Sequence, residues 1–242
     1  SERVSSGEIA GNGSLVLKLY YDRETYNVTL NTDGGTINSG NINEYTYGIE
    51  QSLPTDLTKE GYIFEGWYDN EELTGDPIIK ITSEDIENKE YFAKWTQNEY
   101  TVTFKNGDEI VSTQTIKHGE AATEPEVTKA GYTLTWDKEF NNITSDLTIN
   151  AIWTANTNTK YTVEHYKQNI SKTGYDLIES DIEEKTGTTG ETVTAIAKEY
   201  LGFTENEEYS ERVASGEIEG DGSLVLKLYY DRNIYRVTLN TN

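Results

Sequence analysis

His118 and His165 are the only histidines in this 242-residue chain. A Ser-His-Asp arrangement needs a nucleophile, a base and a third group that orients the base. No nucleophile elbow or other catalytic signature accompanies either histidine, so both read as solvent-edge or turn residues. Carboxylates are so abundant that a pair at glycosidase separation would arise by accident. Asp181, Glu183 and Glu184 accordingly read as a solvated strand face. The stretch DNEELTGD offers Asp69, Glu71 and Asp76 as oxygen ligands for calcium, but it lacks EF-hand spacing and reads as an acidic turn. GTTGET at 187–192 follows no strand-then-helix pattern of a phosphate loop, and its glycines read as turn residues. Trp67, Trp95, Trp136 and Trp153 are aromatic faces of the kind that stack on sugars. They recur at matching positions of repeated segments, two of them in closing strands, which favours the core. Tyr20, Tyr45 and Tyr47 read as exposed and are the better ligand candidates. Sequons at Asn12, Asn27 and Asn142 would matter only in a eukaryotic secretory pathway. A Lys–Asn isopeptide crosslink would show in the intact mass as one lost ammonia per bond. No catalytic, cofactor or metal residue is assigned, and the ligand-binding residues are left open.

Composition narrows the class further. With 20 Lys and Arg against 43 Asp and Glu, the net charge of -23 repels a phosphate backbone, so nucleic acid is not the expected partner. Such charge keeps a long exposed protein soluble and its neighbours apart. The 18 Tyr, 5 Phe and 4 Trp are too many aromatics for a disordered chain. Without Cys there is no disulfide and no thiol chemistry, which suits a Gram-positive type of cell surface. No apolar run approaches the length of a membrane span, so no insertion is expected in this segment. With no Met, the sequence reads as an internal or processed piece.

The elements that would carry any function are repeats. Residues 1–33 align with 210–242 at an offset of 209, with 26 identical pairs, and GSLVLKLYYDR recurs unchanged at 13–23 and 222–232. Fixed-period similarity of this kind marks a tandem array. Asn12-Gly13 becomes Asp221-Gly222, and both suit a type I′ hairpin turn. A weaker beat opens strands at Tyr26, Tyr100, Tyr161 and Tyr235, spaced 74, 61 and 74 residues apart. Each opening alternates apolar and polar residues, the period of a half-buried strand. Three small domains follow, over 26–96, 100–154 and 161–232, with partial repeats at 1–23 and 235–242. In the closing strand Leu224, Leu226, Leu228 and Tyr230 share one face, and only that face should be fully buried. TSEDIENKE at 82–90 has a capping residue and an acidic first turn, and reads as a short helix. TVTAIAKEYLGF at 192–203 is ambiguous between strand and helix. The fold class expected is mostly β, with one short helix or helical turn in each module.

Residues 26–96 resemble the Listeria–Bacteroides repeat, the internalin B B-repeat, through YNVTLNTDGGT, LPTDLTKEGYIFEGWYDNEELTG and EYFAKWT. Residues 100–154 look like a shorter relative, with the Gly66-Trp67-Tyr68 core reduced to Thr135-Trp136-Asp137. Residues 161–232 resemble the mucin-binding-protein (MucBP) repeat through YTVEHYKQNI, EEKTGTTGETVTAIAKEYLGF and GSLVLKLYYDR. The resemblance implies β-grasp-like α+β modules in a surface protein of Gram-positive or related bacteria, cell-wall associated and extracellular.

Two functions follow as expectations. Short connectors such as TQNEY and TANTNTKY would let modules pack end to end in an elongated, semi-rigid stalk, each period extending on the order of 100 Å. Alternatively the MucBP-like repeat binds host mucin, another glycan or a surface protein. The N-terminal copy of the strand, 14–22, has no sheet of its own ahead of it and is expected to pair with a neighbouring copy.

Overall fold

The computed structural model describes residues 3–239; the outermost residues of both partial repeats lie outside them. One four-strand order recurs three times along the chain, with a fifth strand added in the third. In the first repeat these are β1 (Thr25–Asn31), β2 (Glu44–Thr46), β3 (Tyr62–Tyr68) and β4 (Lys89–Gln97). In the second they are β5 (Glu99–Asn106), β6 (Glu109–Lys117), β7 (Tyr132–Trp136) and β8 (Leu147–Ala155). The third holds β9 (Thr159–Gln168), β10 (Tyr175–Leu177), β11 (Glu183–Gly187), β12 (Phe203–Glu205) and β13 (Val225–Arg232). The sheet orders are β2-β1-β4-β3, β6-β5-β8-β7 and β10-β9-β13-β12, with β11 also on β9. In each, the first and last strands lie parallel at the centre, as in Val28 opposite Lys89, Val102 opposite Leu147 and Val163 opposite Leu226. The strand of each sheet that precedes the last in sequence then pairs antiparallel with it.

Parallel neighbours need a long crossover, usually a helix. Among the described residues no α-helix forms, and the one helical element is a 3-10 turn over Glu179–Asp181. The helix expected at 82–90 is therefore corrected. Thr82 does not cap: its amide and its hydroxyl both donate to Asp85 Oδ2 at 2.7 Å, and Glu87 stands at φ 73°. Burial raises the Asp85 pKa, but the bonds from Lys89 and Thr82 outweigh it and hold the carboxyl at about 2. At 192–203 the chain is strand only at its ends: Thr192–Thr194 pairs with Ser215–Glu217, and β12 begins at Phe203.

The hairpin turns also differ from expectation. Positive φ occurs at Gly13 and Gly222 but not at Asn12 or Asp221, which is not a type I′ turn. The amide of Gly13 donates to Ala10 O and that of Gly222 to Glu219 O. The preceding side chains accept from Ser14 and Ser223 at 3.1 and 3.0 Å. Asn and Asp supply a short acceptor here rather than a left-handed backbone.

By contacts the protein divides into two units. One comprises 1–101, 115–121 and 141–146; the other comprises 102–114, 122–140 and 147–242. The second repeat is thus shared, its His118 and Ile143 end belonging with the first repeat. The first unit has a core of Val28, Tyr45, Leu53, Trp67, Ile81, Tyr91 and Ala93. In the second unit Val102, Phe104 and Ile149 are fully buried in the second repeat, and Val163, Ile218, Leu226 and Leu228 in the third. Tyr229, on the face of β13 opposite Leu228, is buried as well, so the expectation of a single covered face fails. Tyr166, Tyr175 and Tyr209 enclose it, with ring centroids 4.8, 5.1 and 4.5 Å away.

The N-terminal copy of this strand forms no ladder. Val4 and Lys18 make one antiparallel bridge, and Leu17, Leu19, Tyr20 and Tyr21 are exposed.

Candidate functional site

Two arrangements bring the chain's polar residues together: a buried network in the third repeat, and a junction that recurs between repeats. The network corrects the expectation for His165, which is not at a solvent edge. It shares one face of β9 with Tyr161 and Val163 and is 0% exposed. Its Nδ1 lies 3.0 Å from Tyr230 Oη and its Nε2 3.2 Å from Glu183 Oε1. Glu183 also receives Lys185 at 2.7 Å and Lys198 at 3.0 Å. Hydrogen bonds from Lys185, then from Lys198 and His165, hold its carboxyl at about 2 against the cost of burial. An ionised carboxylate only accepts, so Nε2 carries the proton of a neutral imidazole and Nδ1 accepts from the Tyr230 hydroxyl. Tyr230 Oη in turn accepts the Lys198 amide at 2.9 Å. Asp181, also expected on a solvated face, instead accepts from Tyr200 Oη at 2.6 Å. Glu184 is exposed as expected. Each polar side chain of the network is thus engaged in a hydrogen bond or an ion pair.

Desolvation pushes the His165 pKa below its ordinary 6.5, despite Glu183. The unfolded chain therefore takes up a proton below about pH 6.5 that the folded repeat refuses, so stability is complete above that pH and falls below it. Glu183, depressed from 4.5, removes more stability from about pH 4.5 downwards. Thermal unfolding of the full chain, followed on amides of β9 and β13, should show the first decline, and His165→Gln should flatten it between about pH 5 and 7. An unchanged slope in the variant would assign the decline to other groups.

The junction is built from backbone. The Asn98 amide donates to Gly61 O and Asn98 O accepts from the His118 amide, both at 2.8 Å. The Asn156 amide donates to Gly131 O at 2.8 Å and its carbonyl accepts from the Thr189 amide at 2.9 Å. Glycine is required at these sites: φ is 75° at Gly61 and 76° at Gly131. A Cβ on Gly61 would meet the His118 ring at 2.1 Å, and one on Gly131 would meet Gly220 Cα at 2.4 Å and Thr189 Oγ1 at 2.5 Å. His118, the expected turn histidine, is thus the residue seated over Gly61. The signal was present in the sequence, in Tyr47-Gly48, His118-Gly119 and Thr189-Gly190 at a constant spacing of 71.

One junction carries a defect. Thr133 Oγ1 donates to Asn156 Oδ1 at 2.7 Å. At the matching position after Gly61 stands Ile63, and Asn98 Oδ1 is buried without a partner among the described residues. Ile63 is itself exposed, so Ile63→Thr should add a hydrogen bond at little apolar cost. The expected gain is about 0.5–1.5 kcal/mol, read by urea denaturation. A neutral or destabilising result would mean that water already serves Asn98.

The remaining candidates are structural or scattered. Trp67 is buried and donates to Pro54 O at 2.7 Å. Trp95, Trp136 and Trp153 are half-buried, and their indole N–H groups bond Thr32 O, Glu124 Oε1 and Asn106 Oδ1. Tyr45 is corrected: it is 3% exposed and donates to Glu87 O at 2.7 Å, whereas Tyr20 and Tyr47 are exposed. The 69–76 loop is organised by Asn70, which binds the Thr74 backbone from both ends of its amide. Among the described residues no group of three or more His, Asp or Glu is placed to hold a metal ion, and no helix is long and apolar enough to cross a membrane.

Residues 26–94 and 100–163 match the Listeria-Bacteroides repeat domain, and the chain belongs to that family of tandem-repeat proteins. Over its whole length it is 29% identical to a protein of Evansella cellulosilytica named as a Gly-rich membrane protein, covering 29% of that relative. Over 66% of the chain it is 33% identical to a second protein of that organism, named as a membrane protein, covering 25% of it. Over 46% of the chain it is 35% identical to Internalin H of Listeria monocytogenes, covering 20% of that protein. The chain thus spans between 20% and 29% of the length of these relatives.

Proposed function

We propose that the chain is a non-catalytic segment of a semi-rigid, extracellular stalk in a surface-associated, internalin-like or adhesin-type bacterial protein, cell-wall associated and projecting a distal domain. The observation that carries this reading is the junction. The same glycine-to-asparagine-to-amide relay recurs at Gly61 and Gly131, which limits bending by backbone hydrogen bonds rather than by surface chemistry. The closed His165 network and the family match favour a role without catalysis. The strand order common to the three sheets supports reading them as β-grasp-like modules, with 161–232 of the MucBP type. Small-angle scattering of the full chain tests the stalk: the expected result is a rod-like profile, and a compact or freely coiling one overturns it.

A second reading, adhesion to mucin or another host glycan, is favoured by a groove of about 600 Å³ in the third repeat with Tyr200, Phe203 and Tyr235 on its walls. A glycan array with the full chain at high concentration decides it, since no bound glycan would leave the stalk alone.

A further inference from the structure

We propose that the Gly202, Arg232 and Asn233 end of the third repeat is a docking surface for the Tyr47-Gly48 turn of a further 26–96-type repeat continuing the same chain. The inference rests on the reading of the chain as a succession of repeats, though not on the stiffness of the stalk.

Half of a third relay is already built there. The Asn233 amide donates to Gly202 O at 2.8 Å, as Asn98 and Asn156 do to Gly61 and Gly131. Thr204 Oγ1 donates to Asn233 Oδ1 at 2.7 Å, as Thr133 does to Asn156. Gly202 holds φ 83°, yet a Cβ there would meet nothing within 4 Å among the described residues, whereas the other two glycines are covered by the next repeat. Leu201 beside it is fully exposed, and the groove walls of Tyr200, Phe203 and Tyr235 surround the site.

The other half of the relay appears at the start of the chain. Arg23 and Glu24 occupy the positions of Arg232 and Asn233 in the 209-residue period. Glu24 O accepts the Tyr47 amide at 2.9 Å, the bond that Asn98 O receives from His118. Arg23 Nη1 donates to Tyr47 O at 2.8 Å, as Gln97 Nε2 does to His118 O at 2.9 Å. Tyr47 precedes Gly48, at φ 81°, as His118 precedes Gly119 at the same angle. Aligned by the period, Glu24 falls on Asn233, so the turn that Glu24 O receives is expected to bring Tyr47 over Gly202 as the His118 ring lies over Gly61. The exposed Tyr47 is thereby a docking residue rather than a sugar platform, and its partner surface is the Gly202 end of the repeat that precedes it.

The test continues the period: the full chain 1–242 followed by a second copy of residues 34–96. The expected result is nuclear Overhauser contacts between the ring of the added Tyr47 copy and Gly202 Hα, lost in Gly202→Val. The same variant of the unextended chain shows whether β9 and β13 stay folded with valine at φ 83°. Tyr47→Ala in the added copy alone should remove the contacts without touching the third repeat. Absence of these contacts, with Val237, the counterpart of Val28 in the period, in a folded core, would overturn the proposal. So would concentration-dependent shifts of Gly202 in the unextended chain, which would place a second molecule on the surface. Scattering reports the stalk independently, so a rod without these contacts fails the docking and keeps the stalk.

Discussion

Leu228→Ala is expected to destabilise the third repeat by about 2–5 kcal/mol, while Leu19→Ala, inside the same eleven-residue sequence, changes stability by less than about 0.5 kcal/mol. Leu228 is 1% exposed on β13, between β9 and β12. Truncating it removes apolar contact and leaves a cavity that the two flanking strands cannot close. Leu19 is 53% exposed and its segment makes a single bridge, so truncation there removes little. The sequence around the two leucines is identical; what differs is β9, which lies ahead of one copy and pairs with it from Thr162 to Lys167. Urea denaturation of both variants reads the difference directly. Pairing of 14–22 with a neighbouring molecule would instead make the Leu19→Ala effect large and concentration-dependent. Equal, concentration-independent costs for the two variants would mean that β9 is not what separates the two copies.

Much of the sheet was legible in local alternation. The openings at Tyr26, Tyr100 and Tyr161 all became first strands, because a period of two needs only neighbours to be read. The missed features depend on partners far along the chain. Burial of His165 follows from Tyr230, 65 residues away, and from Glu183, 18 away, although its place in the apolar row of Val163 was the available sign. Tyr45 was misjudged for a similar reason, since its hydroxyl finds the backbone of Glu87 across the crossover. At 82–90 the capping pattern misled, because Thr82 donates to Asp85 instead of capping and a non-glycine residue at φ 73° leaves no local mark. The repeat-to-repeat relay was written in the glycine spacing but made no sense without knowing that Asn98 and Asn156 face those glycines. The shortening of Gly66-Trp67-Tyr68 to Thr135-Trp136-Asp137 proves to be the loss of one bulge. β3 shifts register between Phe64 and Gly66, whereas β7 runs Leu134, Thr135, Trp136 opposite Trp153, Ile152 and Ala151 without a break.

That bulge sets the largest single-residue effect expected in the first repeat, at Trp67. Gly66, at φ 145°, lets the strand skip one residue, so that Trp67 faces Ala93 and turns inward. It is 1% exposed, packs edge-on against Phe64 at 5.6 Å and spends its indole N–H on Pro54 O. Trp67→Ala should cost about 3–5 kcal/mol, because the small opposing Ala93 cannot move into the space. Trp67→Phe keeps most of the apolar area and isolates the hydrogen bond; leaving Pro54 O unpaired should cost about 1–3 kcal/mol. Trp136 occupies the matching place opposite Ala151, but it is half-exposed and bonded to the carboxylate of Glu124, so Trp136→Ala should cost less than Trp67→Ala. Denaturation followed on the Val28 and Val102 methyl signals separates the two repeats. If Trp136→Ala proved the more damaging, the first repeat would not depend on its bulged strand, and the loss of Glu65's counterpart in the second would be without structural consequence.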